Sequence, residues 1–417
     1  MTTAAPRLAE AAWLRDGAVA RLLAVLDRDG EQARVVGGAV RNALLGEPIG
    51  DVDLATTAVP EEVTRRATAA GFKVVPTGIE HGTVTVVIEG RPFEVTTLRH
   101  DVETYGRHAK VAFGRDWTAD AQRRDFTINA LTATADGTVF DHVGGLSDIE
   151  ARRVRFIGDA ARRIAEDYLR ILRFFRFHAA YGHGAPDAAG LAACIAGRLG
   201  LEQLSRERVR MELLKLLVAP HATPALAAMT EAGLLQMVLG GVPFLASFEN
   251  MAKVEAAAGV PADPVQRLGA LGVSVAEDAE RLWQRLRLTN AEYERLASMG
   301  NAWRRVAPAM EQGGRALLYR IGAGRFVDRV LIAWSRTWPQ GAADAAWREL
   351  ASLPQRWIVP VFPLKADDFI KRGVPRGPAL GAALREAELR WISAEFPSDA
   401  PALEAIMQGA VAEARPM

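Results

Sequence analysis

The chain has 417 residues, of which 49% are hydrophobic and 24% charged, with a formal net charge of +1. This length exceeds one ordinary core, so two or three domains are expected. The near-neutral balance excludes a uniformly basic coat as the basis of any nucleic-acid binding. The single cysteine, Cys194, excludes a disulfide framework and a cysteine zinc site, so a reducing, cytoplasmic setting without zinc is expected.

The N-terminal stretch MTTAAPRLAEAAWLRDG is interrupted by charges and lacks an apolar signal core. No apolar run approaches the ~20 residues of a membrane span, so no membrane partner is expected. Residues 18–29 read as an amphipathic helix, with Val19, Leu22, Leu23 and Leu26 at helical spacing. Ala33–Val36 is a short apolar run that stops at Gly37-Gly38, as a strand would, and 52–54 reads as a second strand. The Thr- and Val-rich 82–88 turns at Glu89-Gly90 and resumes at 93–98, which is a hairpin pattern. Strands and helices mix to about Asp148. After Ala151 helix-forming residues dominate, with Gly/Pro breaks at 182–186, 220–224 and 240–243. The expected fold class is α+β: a mixed-sheet head followed by an all-helical remainder.

The first chemical cluster is Gly37, Gly38, Arg41 and Asn42, followed by Asp51 and Asp53. A strand, two glycines and a helix leave free backbone N–H groups at a helix N-terminus, where phosphate binds well. Glycine lets the backbone approach the anion, and Arg41 lies one turn into the helix. Asp51 and Asp53 are two apart, so on a strand both carboxylates project from one face. Paired hard oxygen donors suit Mg²⁺, with substrate phosphates filling its other positions. Glu94 is either a third carboxylate of this group or a solvated strand charge.

These residues, with Arg123-Arg124-Asp125-Phe126-Thr127-Ile128-Asn129-Ala130 and Glu166-Asp167-Tyr168-Leu169-Arg170, resemble successive motifs of the class II tRNA nucleotidyltransferase/poly(A) polymerase family. The order matches from about Arg34 to Leu217, with weaker similarity near 362–391. The resemblance implies a polymerase β-like nucleotidyltransferase head at 1–150, a neck at 151–220 that recognises the base, and a tRNA-binding body and tail at 221–417. It also implies CTP and ATP as substrates, the 3′ end of tRNA as acceptor, and two-metal transfer that releases pyrophosphate.

Residues 159–177 read as one long helix that places Asp167 and Arg170 three apart, as surface neighbours. Such a pair is ordinarily a surface ion pair, but here it also solves a recognition problem. Cytosine offers an N4–H donor beside its N3 acceptor, and adenine an N6–H donor beside N1. A carboxylate next to a guanidinium complements both, whereas uracil and guanine present the opposite order. By resemblance, Asp167 and Arg170 read the incoming base, and Arg173 and Arg176 contact its phosphates or sugar. Arg124 and Asp125 match the motif that handles ribose and triphosphate. The loop DHVGGLSD at 141–148 matches one that couples head motion to the neck; it is otherwise a plain Gly-rich turn.

Residues 99–108 resemble a mobile loop kept by members that add the whole CCA terminus, which favours adding A as well as C. The alternatives are a poly(A) polymerase and a non-catalytic tRNA-binding protein on the same scaffold. The histidines are His81, His100, His108, His142, His178, His183 and His221, with none beyond, so no C-terminal HD phosphohydrolase domain is expected. Two positions depart from the family pattern: Asn42 replaces a usual Asp, and Ala109 a frequent Pro. In 205–217, Arg208 and Glu212 have i, i+4 spacing that an ordinary helix pair explains equally well. Lys371, Arg372 and Arg376 flank a Gly/Pro turn before a helical pattern, an arrangement suited to tRNA phosphate.

Overall fold

The computed structural model describes residues 8–414 apart from 9, 16, 77, 79–81, 106–107, 309, 339–340 and 342. Its first 240 residues and residues 241–417 form two compact units.

The first unit is built on a seven-stranded sheet in the order β3-β4-β5-β2-β1-β8-β9. Its strands are β1 (Ala33–Val36), β2 (Asp53–Thr56), β3 (Lys73–Val75), β4 (Thr83–Ile88), β5 (Arg91–Thr97), β8 (Thr132–Ala133) and β9 (Val139–Phe140). β2 and β5 run parallel and the other neighbours antiparallel. Alternation in β4 sends Val84, Val86 and Ile88 into the core, while β1 is buried along its whole length. The β4–β5 turn uses Glu89 and Gly90, both at positive φ (52° and 78°), which the Glu-Gly pair had announced. The stretch resembling a mobile loop forms a separate hairpin of β6 (Arg99–Tyr105) and β7 (His108–Phe113). Gly106, Arg107 and His81 lie outside the described residues.

Two expectations need correction here. The second strand begins at Asp53 and runs to Thr56, so Asp51 sits in the connection before it. The long helix at 159–177 is two helices, Ala160–Glu166 and Leu169–Tyr181, because Asp167 is extended (φ −155°, ψ 107°). A short polar side chain competes with the helix for backbone donors: Asp167 Oδ1 accepts the Leu169 N–H at 3.1 Å.

Helix Ala222–Glu231, placed with the body by sequence, packs on Leu169–Tyr181, and the His221 N–H bonds the Ala179 carbonyl at 2.8 Å. The first compact unit extends to Gly240. The second unit is all helix among the described residues. Phe248, Met251, Leu282 and Trp334 are buried in it, and Phe369, Trp391 and Met407 form a separate cluster. No described helix is long and apolar enough to cross a membrane.

Candidate active site

Gly37 caps helix Gly38–Leu45 with φ 73° and ψ −120°, a conformation that favours glycine. A Cβ there would also stand 3.6 Å from the Asn129 carbonyl and 3.8 Å from Arg124 Nη1. Arg41 follows, but it is 6% exposed and already bonded. Its guanidinium donates to Asn129, to Asn42 Oδ1 at 2.8 Å and to the Tyr181 hydroxyl at 2.7 Å, and stacks 3.9 Å over the Tyr181 ring. Arg41 thus ties the Gly37-Gly38 turn to helix Leu169–Tyr181. Asn42 also donates Nδ2–H to the Pro48 carbonyl at 2.8 Å, a bond that a carboxylate cannot make.

Asp53 opens β2, one residue before the parallel register pair Leu54–Val95, which puts it beside Glu94. Burial, followed by the Glu94 and Asp51 carboxylates, pushes the Asp53 carboxyl above its ordinary value, with Arg124 opposing. The three acids therefore share one electrostatic neighbourhood, although no described group of three such side chains forms a ready metal cage. The donors are all hard oxygens under mutual repulsion, which a divalent cation of the Mg²⁺ kind relieves.

Asp120 accepts from Arg123 Nε at 2.8 Å and Arg124 Nη2 at 3.1 Å, fixing both guanidinium groups from beneath. Asp125 Oδ1 accepts the Phe126 N–H at 2.9 Å and Asn129 Nδ2 at 3.1 Å, and Oδ2 accepts Arg173 Nε at 2.8 Å. Burial pushes the Asp125 carboxyl up, yet Arg173 and these donors hold it below the usual carboxylate range. Phe126 packs at a tilt against Phe156 (4.9 Å between centroids) and Phe177 (5.3 Å), seating this segment against helix Leu169–Tyr181.

The supposed base-reading pair do not touch each other as an i, i+3 ion pair. Asp167 takes Arg208, with Nη2 2.7 Å from Oδ2 and Nη1 3.3 Å from Oδ1. Arg170 Nη1 donates to Glu166 Oε2 and to the Arg163 carbonyl, both at 2.6 Å. Each of the two side chains is held by its own partner. Glu212, 4% exposed, accepts Arg176 Nε at 2.5 Å and lies 3.8 Å from Arg173. Sequence reasoning left Arg208 and Glu212 open as a mutual pair. Their spacing was the available signal, but Arg208 pairs with Asp167 in the helix break and Glu212 with Arg176 on helix Leu169–Tyr181.

These groups line one cleft of about 550 Å³: Gly37, Gly38, Arg41, Asp53, Arg123, Arg124, Asp125, Asn129, Asp167, Leu169, Arg170, Arg173, Arg176, Phe177 and Arg208. Seven arginines against three carboxylates make it a basic pocket with an acidic corner, suited to a polyphosphate. Asp51 and Glu94 stand outside its lining. Beside it, Asp141 collects the N–H groups of Val143, Gly144, Gly145 and Leu146 at 2.9–3.0 Å. Buried Asp148 accepts the Thr127 hydroxyl at 2.6 Å. In the second unit Lys371 and Arg376 are exposed before helix Pro378–Ser393, whereas Arg372 pairs with Glu404 at 2.6 Å.

Residues 33–155 match the family described as Poly A polymerase head domain, and 191–248 that of the probable RNA and SrmB-binding site of polymerase A. The mitochondrial CCA tRNA nucleotidyltransferase 1 of Danio rerio is 36% identical over 387 residues, spanning 91% of this chain and 88% of that protein. A CCA-adding enzyme of Limosilactobacillus fermentum is 32% identical over 397 residues, 91% and 93% of the two chains. The crystal structure of the Bacillus stearothermophilus CCA-adding enzyme in complex with CTP superposes with a TM-score of 0.75 at 31% identity, covering 94% of this chain and 97% of that one.

Proposed function

The chain belongs to the class II tRNA nucleotidyltransferase/poly(A) polymerase family, and on that premise we propose how its basic cleft performs the reaction. The activity is template-independent addition of CMP and AMP, from CTP and ATP, to the 3′ end of tRNA. The tRNA 3′ oxygen attacks the α-phosphorus of the nucleotide, a new P–O bond forms, and the bond to the β-phosphate oxygen breaks to release pyrophosphate.

The Gly37-Gly38 turn and Arg124, Arg173 and Arg176 hold the triphosphate, and Asp125 faces the ribose. Asp167 accepts the exocyclic N–H of cytosine or adenine while Arg170 donates to N3 or N1. Uracil and guanine then oppose a carbonyl to the carboxylate and an N–H to the guanidinium. Each mispaired buried group costs ~1–3 kcal/mol. Asp51 and Asp53 would hold Mg²⁺, with Glu94 adding negative charge beside them, and the bound ion would supply Lewis-acid charge at the reacting phosphate. The buried, single Cys194 thiol suits a cytoplasmic setting.

The observation that carries this reading is the meeting, in the lining of one cleft, of acidic Asp53 and the separately braced Asp167 and Arg170. The test is to give the protein tRNA ending before CCA with each nucleotide alone and with mixtures, then sequence the products. Products that gain C, C and A and stop support the reading. Runs of A make it a poly(A) polymerase, and no extension makes it a binding protein.

A further inference from the structure

The second unit contains a buried positive charge that no described side chain neutralises. Arg329, on helix Ala323–Thr337, is 9% exposed. Its Nε donates to the Ser298 carbonyl and its Nη2 to the Ser298 hydroxyl, both at 3.0 Å and both neutral acceptors. Among the described residues Nη1 has no partner and no carboxylate reaches the group. The adjacent Asp328 is held by Arg295 at 2.7 Å. An arginine removed from water is costly to keep unless an anion joins it.

Arg329 also lines a cavity of about 420 Å³, together with Val306, Leu317 and Ile321 and two further arginines, Arg305 and Arg320. Both of those arginines are exposed while Arg329 is buried, so the positive charge of the lining extends from a buried group to the surface. A lining of one buried arginine, apolar side chains and two exposed arginines suits a phosphate with an attached nucleoside. We propose that this cavity is a subsite for one nucleotide of the tRNA, its phosphate on Arg329 and its nucleoside against Val306, Leu317 and Ile321. The proposal rests on tRNA being the substrate. It assigns the RNA backbone rather than a free phosphate because Arg305 and Arg320 continue the charge beyond the pocket, along the path a polymer would take.

The test uses the full chain and compares the parent with Arg329→Gln and Arg320→Gln. It measures tRNA binding over a salt series, interference by ethylated phosphates, and calorimetric binding of CMP and inorganic phosphate. Arg329→Gln should bind tRNA roughly tenfold more weakly, with a log–log salt slope shallower by about one. One ethylated phosphate that blocks the parent should no longer discriminate in the variant. Parental affinity and slope in a folded Arg329→Gln protein would overturn the proposal. So would loss of CMP or inorganic phosphate binding with tRNA binding intact, since that assigns the cavity to a free anion. If Arg329→Gln does not fold, the exposed Arg320→Gln decides: weaker tRNA binding with a shallower slope supports the subsite, and parental values overturn it. C addition by the parent is measured alongside, so failure of the functional reading is seen separately.

Discussion

Arg208 decides where the Asp167 carboxylate points, because it is the only described side chain bonded to both of its oxygens. Arg208→Gln should therefore leave transfer running but loosen base choice, raising U or G incorporation relative to C and A by about tenfold, one unpaired contact's worth. Single-nucleotide incorporation assays check this, and unchanged preference would make the bond a bystander. Asp125 offers a pH test. Its folded pKa lies below the unfolded value, so its stabilisation is complete above about pH 4 and is lost as pH falls through the folded value. Asp125→Asn should cost on the order of 3 kcal/mol near neutrality, tempered because Glu212 still faces Arg173. Thermal melts should show a constant gap to the parent from about pH 6 to 8 that narrows below about pH 4. The carboxylates and arginines of the site were legible as residue types in order. Their pairings were not, since Arg208–Asp167 and Arg173–Asp125 join residues 41 and 48 apart.

The break at Asp167 matters because it separates two helices that the apolar spacing had merged. Ile164 and Leu172 fit one helical stripe, and only the carboxylate's bond to the Leu169 N–H reveals the interruption. Local strand signals did better: Ala33–Val36 and the β4–β5 turn stand where Gly37-Gly38 and Glu89-Gly90 announced them. The 141–148 loop is likewise specific in structure. A Cβ on Gly145 would lie 2.4 Å from the Thr127 carbonyl oxygen, a backbone atom that cannot step aside alone. Gly145→Ala should lower stability by ~1–3 kcal/mol, seen in chemical denaturation, with the nearby Arg124 and Asp125 displaced and activity reduced. A normal denaturation midpoint would show that the loop yields. In the tail, Arg372 belongs to the fold through Glu404, while Lys371 and Arg376 are exposed. Lys371→Ala with Arg376→Ala should flatten the salt dependence of tRNA binding, and Arg372→Ala should mainly lower the melting temperature. Equal effects of all three on tRNA affinity would return Arg372 to the binding group.

At the scale of the molecule, the nucleotide cleft lies wholly within the first 240 residues, and the Arg329 cavity wholly within the rest. The α+β head and helical remainder were readable from composition because strand-forming residues stop near 140. The end of the first compact unit at Gly240 was not, because the Gly/Pro breaks at 220–224 and 240–243 look alike in sequence. The helix at the first of these breaks nevertheless buries Leu226 and Met229 in the first unit. In the proposed reaction, protein side chains led by Asp167 replace a nucleic-acid template. The most direct measurement is kcat/KM for each of the four nucleotides with Asp167→Ala and parent on tRNA ending before CCA. Transfer should persist, because Asp51, Asp53 and the phosphate-binding arginines are untouched. The preference for C and A over U and G should fall by ~1–3 kcal/mol in that ratio. A folded Asp167→Ala protein that keeps the parental C and A selectivity would contradict the account.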